Sequence, residues 1–202
     1  MKEVSAEFFD QLRSIRAGEP RAVELFVATY EPFIRRTIRH RLGRAALRSV
    51  ADSIDVCQSV FGSFLIRMAA GEYELKSERD LQRLLVAITQ NKFMALQRRE
   101  MAEKRDRRIT VSLNSVDDIE DYRQTNDEQS ARQVELLSAF EQSLSIEERQ
   151  LFMMRRQGLE WSVIAEDLKE NAVVLRKRLS RAVQRVAREL GIESAGEKDS
   201  DV

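Results

Sequence analysis

Helix-breaking residues are scarce in this chain of 202 residues, which holds only two prolines and seven glycines. Proline and glycine are the residues that most disfavour the interior of a helix. Hydrophobic residues make up 43% of the chain, which is enough to form buried cores. Because Arg, Glu, Leu, Ala and Gln are also plentiful and favour helices, the composition predicts an all-α protein.

Apolar residues recur every three or four positions in several segments, as expected for helices with one buried face. The first half of the chain has four such segments, at about 5–17, from Pro20 onward, 53–69 and 80–105. In the second of these segments, Pro32 is expected to kink the helix.

The second half of the chain contains the pattern of a helix-turn-helix. Ser145 and Glu148 have the spacing of a capping box and predict the start of a helix. A short helix is predicted over 161–168, and a longer basic helix begins at Asn171. Two helices separated by three or four residues, the second longer and basic, match helix-turn-helix spacing.

The net charge is zero, but the charges are unevenly distributed along the chain. The segment 111–133 is acidic and polar, and it has too few apolar residues to cover a core. The sequence therefore predicts two small helical domains joined by an acidic flexible linker. The sequence predicts a domain at 1–110, a linker at 111–136, a second domain at 137–191 and an acidic tail at 192–202. The net charge is +6 over 1–110, −8 over 111–148, +5 over 149–191 and −3 over 192–202.

Several classes of protein are disfavoured by what the sequence lacks. Cys57 is the single cysteine, which fits a reducing, cytoplasmic setting. No apolar run reaches the roughly 18 residues that a membrane span needs, and the start of the chain does not resemble a signal peptide. No phosphate-binding glycine loop, zinc cluster or nucleophile elbow is present. We therefore expect a cytoplasmic protein that is not an enzyme, has no cofactor or metal, and does not insert into membranes.

The helix that begins at Asn171 has six basic residues on or beside its polar face, and Glu189 is the one acidic residue within it. Pairing within the helix therefore cannot balance these charges. A solvated face is one interpretation. The concentration of charge in the first half of the helix favours DNA contact instead, because a recognition helix meets bases there.

Four blocks of sequence resemble bacterial extracytoplasmic-function (ECF) sigma factors. "LSIEERQLFMMRRQGLEWSVIAEDL", followed by "NAVVLRKRLSRA", resembles promoter-recognising region 4. "DSIDVCQSVFGSFL" resembles region 2.2, "LQRLLVAITQNKFMALQRRE" resembles regions 2.3 and 2.4, and 12–42 resembles region 2.1. The likeness covers about 10–108 and 137–188, in the family's order. The turn departs from the family's pattern, because Lys169 and Glu170 replace a glycine and an apolar residue.

The resemblance implies three sets of binding residues. Core RNA polymerase is expected to bind Asp52, Asp55, Gln58 and Phe61. The −10 promoter element, captured as a single strand, is expected to bind Tyr73, Asn91, Lys92, Arg98 and Arg99. The −35 element, bound as a duplex, is expected to contact Asn171, Arg176, Lys177, Arg178 and Arg181.

The resemblance implies a sigma factor that binds the β′ and β subunits of core RNA polymerase and promoter DNA, and helps to open the −10 region. An anti-sigma factor is a further candidate partner. Two alternatives stay open: a helix-turn-helix regulator that acts without core polymerase, and a helical adaptor that binds a protein partner.

Overall fold

The computed structural model describes residues 6–42, 50–106 and 125–193. Within these ranges all regular structure is helical, which confirms the predicted all-α class. No helix in them is long and apolar enough to span a membrane. The helices are α1 Ala6–Arg16, α2 Pro20–Leu42, α3 Val50–Ala69, α4 Glu78–Asp106, α5 Thr125–Ser143, α6 Ile146–Arg156, α7 Trp161–Leu168 and α8 Ala172–Glu189.

The four helices of the first half lie where the sequence predicts them, and they pack around aromatic residues. Phe26 of α2 stacks on Phe64 of α3 at 4.8 Å and meets the edge of Phe61 at 5.8 Å. Helix α2 continues through Pro32. Leu25, next to Phe26 in the sequence, is 56% exposed although it is apolar. It lies about 100° around the helix from Phe26, which is the turn between successive residues.

The second half begins and ends its helices at the predicted signals. The capping box is present, with the Ser145 side chain accepting from the Glu148 backbone and the Glu148 side chain accepting from the Ser145 backbone. Asn171 caps α8, as predicted, by accepting from the Val173 backbone N–H at 2.8 Å. Lys169 ends α7 with a left-handed backbone, at φ 52°. The short turn therefore places α8 directly after α7.

Helix α5 begins inside the segment that the sequence predicts as a linker. Gln129, Ser130 and Gln133 are buried on its first turns, where it packs against α2 and α3. The Gln133 amide donates to the Gln58 backbone oxygen at 3.3 Å. The Gln129 amide faces the Glu31 carboxylate at 3.2 and 3.3 Å. These turns bury polar side chains against polar partners, so hydrophobic periodicity does not reveal them.

The buried residues of both halves form one continuous cluster, which runs from Leu12 in α1 to Ile192 after α8. Helix α5 joins the halves through Leu137 and Phe140. The division into two independently folding domains stays a prediction. The structure nevertheless brings surfaces from the two halves into contact, and this contact decides which candidate site residues are accessible.

Candidate nucleic-acid interface

The outer face of α8 carries cations that have no charged partner among the described residues. Arg176, Lys177 and Arg181 are exposed, and they form no hydrogen bond or ion pair with the other residues that the structure describes. The opposite face is buried through Leu175 and Leu179, as predicted. The exposed face is therefore a cationic strip of the kind that binds DNA phosphates and base edges.

Arg178 differs from its neighbours, although the sequence groups it with them. Its guanidinium pairs with Glu170 in the turn, at 2.8 Å and 3.3 Å, and Glu147 lies 3.9 Å away. Arg185 likewise pairs with Glu148 at 2.7 Å and with Glu189 at 3.2 Å. Both arginines thus connect α8 to the rest of the helix-turn-helix.

Two valines at the start of α8 were not among the predicted site residues. Val173 and Val174 are 59% and 51% exposed, beside the cap residue Asn171. Apolar side chains in this part of a recognition helix can contact thymine methyl groups. The sequence could have indicated them, because they are apolar residues that lie outside the buried apolar stripe of α8.

A second exposed face lies on α4. Asn91, Met94 and Arg98 are three and four residues apart and share one side of the helix. Met94 is 52% exposed, and it is not among the site residues predicted from the sequence. This face combines an amide, a flexible apolar side chain and a cation, which are the groups needed to hold an unstacked base and its phosphate. Arg99 follows on the same helix, and its side chain lies outside the described residues.

Tyr73, in the loop before α4, is anchored by the core. Its ring stacks on Phe64 at 5.9 Å with an interplanar angle of 13°, so its position is fixed by Phe64 and, through it, by Phe26. One face of the ring is therefore held against the protein.

The residues predicted to bind polymerase separate into two groups. Asp55 is exposed and Gln58 is partly exposed on α3, whereas Phe61 is fully buried against Phe26. Phe61 is therefore a core residue in this structure and offers no surface to a partner. It belongs to the apolar side of α3, which the helical pattern alone predicts. The side chain of Asp52 lies outside the described residues.

A groove of about 460 Å³ lies between the halves of the molecule. Asp55, Gln58 and Lys92 line it from the first half, and Arg132 and Ile192 line it from the second. The first three belong to two different predicted sites. The structure thus brings part of the predicted polymerase-binding and −10-binding residues together, facing the C-terminal half.

Lys92 is not placed as the sequence predicts. It is 7% exposed, and its ammonium donates to the Ile192 backbone oxygen at 2.7 Å. A buried ammonium needs such a partner, because burial removes its hydration. In this conformation Lys92 is not available to a phosphate.

Two arginines meet at another contact between the halves. Arg155 of α6 donates to the Gly71 backbone oxygen at 3.1 Å and lies 4.8 Å from the ring of Trp161. A Cβ at Gly71 would lie within 2.6 Å of both Arg155 Nη2 and Arg16 Nη2, so these like charges are close. Burial lowers the pKa of Arg155, and Arg16 lowers it further. This part of the junction is electrostatically unfavourable.

Reactive groups are scarce around these faces. The ranges that the structure describes hold no cluster of His, Cys, Asp or Glu side chains suited to a metal ion. Cys57 is fully buried, and burial raises the pKa of its thiol to about 12.

Comparison with known proteins identifies the family. A family model described as ECF sigma factor matches residues 5–191, which include the α3 and α4 faces and the helix-turn-helix. No similar curated protein and no similar solved structure was found. The family match covers most of the chain and confirms the resemblance seen in its motifs, so the chain belongs to the ECF sigma factor family.

Proposed function

We propose that this chain binds core RNA polymerase, directs it to specific promoters and helps to open the −10 region. Family membership supports the coarser statement: a transcription-initiation factor, not an enzyme, that works with RNA polymerase and promoter DNA. The observation that carries the finer proposal is the cationic outer face of α8, where Lys177 and Arg181 are exposed after a helix-turn-helix turn and form no ion pair within the described part of the chain.

For the −35 element, the proposal places α8 in the major groove of duplex DNA. Lys177 and Arg181 would bind bases or phosphates, because both are exposed and four residues apart on one face. Val173 and Val174 would contact thymine methyl groups. Asn171 orients the start of α8 by capping it.

Arg178 has a different role in this proposal. Its paired contact with Glu170 connects α8 to the turn. We expect Arg178 to act mainly by positioning α8, since a direct DNA contact would require it to leave the Glu170 carboxylate. Arg176 lies at the edge of the exposed face, where phosphate contact is the natural role.

For the −10 element, the proposal uses the outer face of α4 with the adjacent loop. Asn91 would bind a base edge, Met94 would pack on an unstacked base, and Arg98 would bind phosphate. Tyr73 would supply a stacking surface whose position the core already fixes. Binding of the unstacked base to this face would then offset the stacking energy that is lost when the duplex opens.

For polymerase binding, the proposal uses the polar strip of α3. Asp55 and Gln58 are three residues apart, with Asp52 one turn earlier, so they follow one side of the helix. Such a strip suits an arginine-rich coiled coil, which is the kind of surface that the family's resemblance implies for the β′ subunit. Phe61 would support this strip from beneath.

Run-off transcription with purified core RNA polymerase tests the proposal. The template pool should contain randomised −35 and −10 segments, so that active promoters can be identified from the templates that yield transcripts. We expect defined transcripts only when both the chain and core polymerase are present, and weak duplex binding by the chain alone.

The alternatives give different results in the same experiment. A regulator that acts without core polymerase would bind a duplex tightly by itself and give no core-dependent transcript. A protein adaptor would show neither activity. When Arg181 of α8 is replaced by Ala in this experiment, Arg13→Ala is the matched control. Arg13 lies on α1 with a side chain that is 79% exposed, away from every proposed contact.

A further inference from the structure

The chain continues beyond α8 in a way that brings it back onto the first half. Gly191 has a left-handed backbone, at φ 69°, and the Ile192 N–H bonds to the Ala187 oxygen at 2.9 Å. This is the Schellman arrangement, in which a left-handed glycine ends a helix and an apolar residue follows it. We call Gly191, Ile192 and Glu193 the C-terminal latch.

Ile192 forms the apolar part of the latch. It is 6% exposed and belongs to the common core. Its backbone oxygen accepts from Ser59 Oγ at 2.9 Å and from Lys92 Nζ at 2.7 Å. One carbonyl therefore joins α8 to both α3 and α4.

Glu193 forms the charged part of the latch. Its Oε1 accepts from Arg67 Nη2 at 2.9 Å, from Arg67 Nε at 3.1 Å and from Ser63 Oγ at 3.2 Å. The Arg67 and Glu193 side chains are only 11% and 10% exposed, so these charge-assisted bonds are largely protected from water. Arg67 also pairs with Glu72 at 2.7 Å, which fixes it in place.

The latch covers one residue that the family resemblance assigns to the −10 element, and it faces one residue of the proposed polymerase strip. Lys92, proposed from the family resemblance to meet the −10 element, is buried beneath Ile192. Gln58, from the proposed polymerase strip, faces the groove whose other wall includes Ile192. A phosphate cannot replace the Ile192 oxygen on Lys92 unless the latch leaves.

The same junction has features that make it separable. Gln58 Nε2 and Gln133 Oε1 are buried without hydrogen-bond partners among the described residues. Arg16 and Arg155 place like charges together at the other contact between the halves. Unsatisfied polar groups and like charges both raise the free energy of the closed arrangement. The latch therefore adds its bonds to an interface that also contains unsatisfied polar groups and like charges.

We propose that the C-terminal latch is an autoinhibitory contact: it holds the free protein closed, and core polymerase binds the form in which the latch has been released. The inhibition of polymerase binding rests on the proposed function, whereas the closed form of the free protein does not. A binding-competent form that is rarely populated weakens apparent affinity in proportion to its population. Weakening the latch should therefore strengthen polymerase binding.

The reactivity of the Lys92 amine measures latch opening directly. The free protein is treated briefly with an amine-acetylating reagent, and acetylation is measured at each lysine by mass spectrometry. The test variant combines Ile192→Ala with Glu193→Gln, which removes the apolar anchor and the charge. We expect the rate at Lys92 to rise about tenfold or more, which corresponds to the loss of a charge-assisted bond. The rate at exposed Lys177 should not change.

Glu189→Gln is the matched control, because Glu189 forms a surface pair with Arg185 in the last turn of α8. It should leave Lys92 protected. The Lys92 rate in wild type should also rise when core polymerase is added, and the latch variant should bind core polymerase about tenfold more tightly.

Two results would overturn the inference. One is equal protection of Lys92 in the folded latch variant and wild type. The other is faster labelling of Lys92 with unchanged polymerase affinity, which would show that the latch closes but does not inhibit. Absence of polymerase binding by wild type and variant alike would overturn the proposed function instead, and the labelling rates would still decide whether the latch closes the free chain.

Discussion

The outer face of α8 and the sides of α3 and α4 that face the C-terminal half differ in how accessible they are in the free protein. On α8, Lys177 and Arg181 extend into solvent without partners among the described residues. On α3 and α4, Gln58 and Lys92 face the C-terminal half, and Lys92 is buried by it. The proposed duplex-binding surface is thus accessible in the free chain, whereas the surface proposed for polymerase and melted DNA is partly covered.

This difference separates stability from function. A covered side chain stabilises the free protein through the contacts that cover it, so replacing it changes the free energy of unfolding. An exposed side chain without partners contributes little to that free energy, and its replacement affects binding alone. The four predictions that follow use this contrast, from the largest expected effect to the smallest.

The largest effect is expected at Phe61, which the sequence grouped with Asp55. Phe61→Ala should lower the free energy of unfolding by about 3–5 kcal/mol, because it removes a buried ring that packs on Phe26. Asp55→Ala should change it by less than about 0.5 kcal/mol. Urea denaturation followed by circular dichroism measures both. Near-normal stability of Phe61→Ala together with weaker polymerase binding would restore Phe61 as a contact residue.

A smaller effect on binding is expected at Arg181. Arg181→Ala should reduce initiation from promoters that need a −35 element by about tenfold or more, as loss of one base or phosphate contact predicts. Its unfolding free energy should stay the same. Arg178→Ala should reduce both initiation and stability, since it also removes the Glu170 pair. Equal behaviour of the two variants in transcription and denaturation would remove the distinction between them.

A gain in stability is expected at the turn. Lys169 has φ 52°, a conformation that costs residues with a Cβ roughly 1–2 kcal/mol. Lys169→Gly should raise the free energy of unfolding by about 1 kcal/mol, after the greater chain entropy of glycine in the unfolded state is subtracted. Gly158→Ala is the reverse test, because Gly158 has φ 90° and no atom near its Cβ position. It should destabilise, and a neutral result there would contradict the backbone argument.

The smallest effect is expected at Cys57. Burial raises the pKa of its thiol to about 12, so very little reactive thiolate forms at pH 8. Deprotonation should become appreciable only as the pH approaches that value. A thiol reagent should label Cys57 only through global unfolding, so in wild type and in the latch variant the labelling rate should match the unfolding measured for that same protein. Labelling of the latch variant faster than its own global unfolding would show that release of the latch opens the core as well as the groove.

Apart from α5, for which no helix is predicted, the helices themselves could be predicted well from the sequence. Few glycines and prolines interrupt the chain, so apolar spacing and capping signals define the helices. Ser145 and Asn171 show this most clearly, because each cap depends on a short side chain next to the helix that it starts. These are local effects, and local effects are visible in sequence.

The pairings that the sequence does not reveal are contacts between distant parts of the chain. The sequence places the start of α5 in the linker, because Gln129 and Gln133 bury polar groups. DNA binding by Lys92 stays a prediction, and in the structure its ammonium is bonded to a carbonyl 100 residues away. Ile192 and Glu193 fall in the predicted acidic tail, and both pack on α3. No local pattern encodes such pairings, since they depend on the docking of whole helices.

Trp161 gives the closed arrangement an optical signal. It is the one tryptophan of the chain, and its indole ring lies under the guanidinium of Arg155, which also holds the Gly71 oxygen of the other half. A cation at this distance alters the emission of an indole, so separation of the halves should change both its intensity and its wavelength. The free protein thus carries a natural fluorophore beside a contact between its halves, and its emission can be compared between wild type and the latch variant without any added dye.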